Sequence, residues 1–173
     1  MYERSSRGMA AGTPGSCAVR ILAVHTDSRP ESLGIARRQV RDAMTRAGLG
    51  DETARDMEVA VGEALSNIYQ HAYPGGIGAV SVEVIATATA ITVVVRDDGD
   101  ATAAPEIPRR LPPRTSPGGR GLYMIGRLAN DVELRVNPAG HGVTARITAR
   151  LKTPLGTAWG GEGNGPARKT APQ

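Results

Sequence analysis

Residues 58–73, EVAVGEALSNIYQHAY, decide how the rest of the chain is read. At about 100° of rotation per residue, Met57, Val61, Ala64, Leu65, Ile68 and Ala72 fall on one face of a helix. Glu63, Asn67 and His71, each four apart, make a second, polar stripe along the flank of that face. A solvated flank explains such a stripe when it stands alone, because helix flanks are normally polar. A carboxylate and a carboxamide one turn apart beside a core also suit joint action on one ligand. What the chain supplies around them decides between the two.

Working outward, Asp51 is the expected N-cap of this helix, with Glu52 in the first turn favouring the positive end of its dipole. Pro74 cannot continue it, so it should stop at Tyr73. Upstream, a helix is expected from about Glu31 to Ala47, capped by Ser28 or Ser32 and ended by Gly48 and Gly50. Its stripe is Leu33, Ile35, Ala36, Val40, Ala43, Met44 and Ala47, with Arg37, Arg38 and Arg41 on the solvent side. Before it, CAVRILAVH (17–25) predicts a strand with Val19, Ile21 and Ala23 on one face. Downstream, AVSVEVIA (79–86) and AITVVVRD (90–97) are β-branched runs joined by a short link, an antiparallel hairpin. Residues 98–119 lack periodicity and hold five prolines; a loop this long inside a compact domain is functional or disordered. GRGLYMIGRLAN (119–130) predicts a helix entered through glycines, and DVELRVNP with GVTARITARL a last hairpin closed near Ala139–Gly142.

The order is strand, two helices, hairpin, long loop, helix, hairpin. Helices segregated against a mostly antiparallel sheet make an α+β fold, a two-layer α/β sandwich. Residues 1–16 and 154–173 are polar or rich in Gly, Pro and Ala, and are expected as a disordered leader and tail around one domain at 17–153.

Composition narrows the function. With no Phe and one Trp, the core must be built from Ala, Val, Ile and Leu. A single cysteine, Cys17, excludes an internal disulfide, and His25, His71 and His141 show no metal-ligand spacing. The most apolar run, Ala79–Val95, is broken by Glu83 and by threonines, so it reads as strands and not as a membrane span. Without a signal-like apolar segment, a cytoplasmic location with no membrane contact is expected. The formal charge of +4 resides in 1–16 (+1), 101–117 (+2) and 154–173 (+1), leaving the body neutral. That distribution argues against direct nucleic-acid binding, which would also predict a steep salt dependence.

Three motifs carry candidate chemistry. Glu63 and Asn67 pair a proton acceptor with a neutral carbonyl ligand suited to Mg²⁺. The strand end VVVRDDG (93–99) places Asp97 to accept a hydrogen bond from an exocyclic amine, with Gly99 admitting a base close to the backbone; Asp-Gly is otherwise a common turn. Gly119, Arg120, Gly121 and Leu122 open a helix, gathering free N–H groups and a positive dipole end suited to phosphate. No Walker or Rossmann signature is present.

Their conjunction, in this order and at close spacing, resembles the GHKL (Bergerat-type) histidine kinase-like ATPase superfamily. EALSN…HAY followed by GRGLYMIGRLANDVEL is most similar to the bacterial anti-sigma factor serine/threonine kinases, over roughly residues 17–151. The resemblance implies ATP and Mg²⁺ as ligands. Within it, Asn67 corresponds to the Mg²⁺ ligand and Glu63 to the catalytic carboxylate that activates an acceptor hydroxyl. His71 and Tyr73 shape the pocket, Asp97 with Gly99 specifies adenine, and Gly119, Arg120, Gly121 and Leu122 hold phosphate beneath a mobile lid at 101–117. It also implies two partners, a sigma factor and an anti-sigma factor antagonist protein, a homodimer, and a role in transcription regulation. Two departures stand out. Ala101 occupies the last position of the usual Asp-x-Gly-x-Gly box, and the lid is stiffened by proline. They leave open a second reading, a nucleotide-gated partner-binding switch with little kinase activity.

Overall fold

The computed structural model describes residues 17–116 and 118–154. The leader expected at 1–16 and the tail beyond residue 154 lie outside the described residues. Five strands, β1 (Val19–Asp27), β2 (Ala79–Ala86), β3 (Ala90–Asp97), β4 (Asp131–Val136) and β5 (Val143–Arg150), form one sheet in the order β1-β2-β3-β5-β4. Every neighbouring pair is antiparallel. Helices α1 (Pro30–Arg46), α2 (Asp51–Asn67) and α3 (Arg120–Leu128) make the second layer. Helix α1 packs on β1 and β2, α2 on β3 and β5, and α3 beside α2 and against β4. This is the expected two-layer α/β sandwich, with a fully antiparallel sheet.

Strict alternation builds the core. Val80, Val82 and Val84 of β2 and Ile91, Val93 and Val95 of β3 are buried, and residues between them face away from the helices. From α1 come Leu33, Ala36, Val40, Ala43 and Met44, and from α2 Met57, Ala60, Val61, Ala64 and Leu65. All six positions of the predicted stripe, Met57 through Ala72, are buried. Each buried aliphatic side chain larger than Ala contributes about 1.5–3 kcal/mol by leaving water. Arg37 and Arg41 reach Glu58 across the α1–α2 seam, but half-exposed pairs of this kind contribute under about 1 kcal/mol.

Local departures from the expected elements have physical causes. A bulge between Arg20 and Leu22 adds one residue to β1 and shifts its alternation. Leu22 and Val24 therefore join Ile21 against the core, while Ala23 is exposed. Helix α1 begins at Pro30, a favoured residue for the first turn because its missing N–H would be unpaired there. Ser28 does not cap it; it is buried and its Oγ accepts from Gly78 N, tying the start of α1 to the entry of β2. The Asp27 carboxyl accepts hydrogen bonds from Ser32 and the Arg29 amide, which hold it below the usual carboxylate range. Ile35 lies half-exposed, off the α1 stripe. Gly48, in the left-handed region, closes α1 with Gly48 N to Thr45 O and Leu49 N to Met44 O bonds. Gly50, and not Asp51, is the N-cap of α2; Asp51 sits in the first turn. The largest departure is at the far end of α2. Residues Ile68–Ala72 form a π-helical turn where one continuous α-helix to Tyr73 was expected.

Candidate functional site

The alternation that builds the core also delivers the first site residue. Val93 and Val95 point inward, so Asp97, two residues on, points inward as well, and it is 5% exposed. A buried carboxylate needs hydrogen bonds. Its Oδ1 accepts from Gly99 N at 2.9 Å and from Val143 N at 3.3 Å, leaving Oδ2 as the oxygen available to a ligand. Gly99 is buried against the end of the π turn, where a Cβ would lie 2.2 Å from Ala72 O. The next amide, Asp100 N, donates to that same carbonyl at 3.1 Å.

Asn67 is the last residue of α2, and the π turn begins immediately after it. A π turn holds more residues per revolution than an α turn, a form found frequently at functional sites. His71 lies in that wider turn, and its side chain still borders the same cavity as Asn67. The cavity is about 330 Å³ and is lined by Asn67, His71, Asp97, Ala101, Gly119 and Leu122 over an apolar floor of Ile68, Val95, Ile125, Leu134, Val143 and Ala145. Its walls come from α2, the π turn, β3, the 98–119 loop, α3, β4 and β5.

Glu63 and Gly121 meet at one border of this space. A Cβ on Gly121 would stand 2.5 Å from Glu63 Oε2 and 3.7 Å from Asn67 Oδ1, so a larger residue in the first turn of α3 would force the Glu63 carboxylate to swing aside. Gly119 caps α3 at φ +88°, a left-handed conformation that glycine adopts without steric cost. The free N–H groups of α3 thus begin beside the carboxylate and carboxamide of α2.

Of the residues singled out in the sequence, Asn67, His71, Asp97, Gly119 and Leu122 line one cavity, and Glu63 and Gly121 adjoin Asn67. Gly99 lies behind Asp97 as packing, and Arg120 is exposed and does not line the cavity. Ala101, noted as a departure, does line it, together with Ala103 and Pro105 of the same loop.

Two residues support the site through contacts the sequence does not disclose: Tyr73, expected with His71 to shape the pocket, and Asn137. Tyr73 Oη accepts from Asp98 N at 2.8 Å and donates to Ala79 O. Burial pushes its phenol above the ordinary range, aided by the charges of Asp97, Asp98 and Asp100 and opposed by the Asp98 amide. Asn137, 3% exposed, donates to Asp97 O at 2.6 Å. In the sequence, Asn137 precedes Pro-Ala-Gly and reads as a turn residue; nothing local marks its long-range partner.

Mg²⁺ keeps several waters and takes few protein ligands besides substrate phosphates. Among the described residues no three His, Cys, Asp or Glu gather as a metal cage. A single carboxamide oxygen beside a helix N-terminus fits an ion of that habit. No helix of the described residues is long and apolar enough to cross a membrane.

Comparison with known proteins agrees with this fold. The model of the histidine kinase-like ATPase domain family matches residues 26–147. Serine-protein kinase RsbW of Bacillus velezensis is 30% identical over 145 residues, covering 79% of this chain and 89% of that one. Its counterpart in Bacillus subtilis is 30% identical over 133 residues, covering 72% and 81%. The crystal structure of the RsbU and RsbW domains of a Mycobacterium tuberculosis protein superposes with a TM-score of 0.55 at 20% identity. This chain spans 77% of its own length and 32% of that longer chain in the match, which supports the fold alone.

Proposed function

The chain belongs to the histidine kinase-like ATPase family and, within it, to the anti-sigma factor serine kinases; on that premise we propose that it binds ATP with Mg²⁺ and phosphorylates a serine or threonine of a small anti-sigma factor antagonist. The same chain would sequester a sigma factor in the cytoplasm and so regulate transcription. The observation that carries the reading is one cavity that joins a buried aspartate, an apolar slot and a Glu–Asn–glycine border.

The roles follow from that arrangement. The slot between Ile68, Val95 and Ile125 suits a flat apolar base, and Asp97 Oδ2 accepts from its exocyclic amine. The amides at the start of α3 meet the phosphates. Asn67 would hold Mg²⁺ through its carboxamide oxygen, and the ion would supply neutralisation of phosphate charge. Glu63 accepts the proton of the acceptor hydroxyl as its oxygen attacks the terminal phosphorus and the bond to the ADP oxygen breaks.

Incubating the protein with labelled ATP and the antagonist tests this. Glu63→Gln is expected to lower phosphoryl transfer by about 10²–10⁴-fold, the usual contribution of a positioned base, while ADP affinity stays within about threefold. Undiminished transfer would remove Glu63 from the chemistry. Ala101 favours the second reading, a nucleotide-gated switch, because its methyl group lies against the ligand space. ATP binding in calorimetry with no label on any partner would select that alternative.

A further inference from the structure

Asp97 can read a base only if its carboxylate is held at a fixed angle, and the residue that holds its main chain lies forty positions away. Asn137 sits at the turn between β4 and β5, where its own backbone closes the hairpin through Asn137 N to Gly142 O and Gly140 N to Asn137 O. Its side chain is committed on both ends. Nδ2 donates to Asp97 O at 2.6 Å and leans on Asp98 Oδ1 at 3.4 Å, while Oδ1 accepts from Thr144 Oγ1 at 2.6 Å. Apart from Asp97, Ser28 and Asn137 are the buried polar side chains of the described residues, and Ser28, just beyond β1 at the opposite edge of the sheet from β4, serves the Gly78 junction.

The peptide that follows Asp97 is therefore gripped at both ends. Its carbonyl points to Asn137 and its amide, Asp98 N, points to Tyr73 Oη. A peptide plane with both polar groups fixed cannot rotate, and the Cα–Cβ bond of Asp97 takes its direction from that plane. The Oδ1 bonds to Gly99 N and Val143 N then set the remaining torsion. Tyr73 and Asn137 approach from different elements, so neither can replace the other.

We propose that Asn137 is a positioning residue for base selectivity: it aims the Asp97 carboxylate, and its loss costs discrimination at the exocyclic amine more than it costs nucleotide affinity as a whole. The inference rests on the reading of the cavity as an adenine nucleotide site. Asn137 itself does not line the cavity.

The test is calorimetric titration of ADP and inosine diphosphate, which carries an oxygen where adenine carries its amine. Asn137→Asp keeps the size and the acceptor for Thr144 but removes the donor to Asp97 O. The ratio of the two affinities is expected to fall about tenfold, as for other outer residues that orient a ligand-binding group. General loosening of the fold would weaken both nucleotides alike and leave the ratio unchanged. Thermal unfolding of the apo protein checks that the variant is folded. If it is not, Thr144→Val removes the outer anchor of the same amide and is expected to reduce the ratio about threefold. An unchanged ratio in the folded variant overturns the proposal while wild-type preference for ADP leaves the site reading intact. Wild-type protein that binds neither nucleotide overturns both.

Discussion

Tyr73 links three elements with one hydroxyl, and its ionisation has a consequence for stability. The phenol donates to Ala79 O at the start of β2 and accepts from Asp98 N beyond the end of β3. Because burial raises its folded-state pKa above the ordinary value near 10, the folded protein keeps a proton that the unfolded chain gives up. Its stabilising contribution is whole below about pH 10 and is lost as pH climbs from there through the folded value. Chemical unfolding of wild type and Tyr73→Phe between pH 8 and 11 checks this. The variant is expected to be about 1 kcal/mol less stable at neutral pH and to lack the tyrosine share of the decline above pH 10. At this scale the sequence was informative wherever chemistry and spacing coincide. Glu63 and Asn67 advertise themselves by lying four apart, and Asp97 by ending an alternating strand. Asn137 is silent, because its meaning comes from a carbonyl forty residues distant.

Elements were legible where periodicity decides them and not where a neighbour does. The β2–β3 hairpin is nearly all alternation, and its buried set follows from the sequence without exception from Val80 to Val95. The π turn is different. Ile68 and Ala72 are four apart and fit an α-helical stripe equally well, so the wider turn cannot be read from them. Its last carbonyl is taken by Asp100 N and pressed by Gly99, contacts that exist only once β3 has docked. The bulge in β1 was hidden for a related reason, since one added residue inverts the faces of a strand that is apolar on both. The long loop follows the same rule. Ile107 lies so close to α3 that a Cβ on Gly126 would stand 2.6 Å from its Cγ2, while Pro108 and Pro112 rest near Gly119. Gly126→Ala should therefore push this loop away from the helix. Limited proteolysis within residues 101–116 is expected to speed up several-fold, and ADP dissociation in stopped flow to accelerate by about as much, with a stability change under about 1 kcal/mol.

For the whole molecule, ligand binding should read out as stability. A nucleotide that binds only the folded chain adds about 2.7 kcal/mol at a hundredfold excess over its Kd. For a domain of this size that is a rise of roughly 5–10 °C in the unfolding midpoint. ADP with Mg²⁺ is expected to produce such a shift in scanning fluorimetry with wild type, and Asp97→Asn to abolish most of it. The sandwich itself was recoverable from element order, because helices that precede and interrupt antiparallel hairpins have one face of the sheet to cover. The insertion of β5 between β3 and β4 was not, since two hairpins in sequence can join along either edge.

Strand β3 is bonded on both sides, to β2 and to β5, and Asp97 stands at its end. The opposite border of the cavity hangs on the nine residues of α3 and the proline-bearing loop that feeds it. Amide exchange in the two halves must then run on separate clocks, slow around Asp97 and fast around Gly119 and Gly121. On the proposed nucleotide reading, the phosphate end of the ligand would let go of the protein and be regrasped many times while its base stays seated.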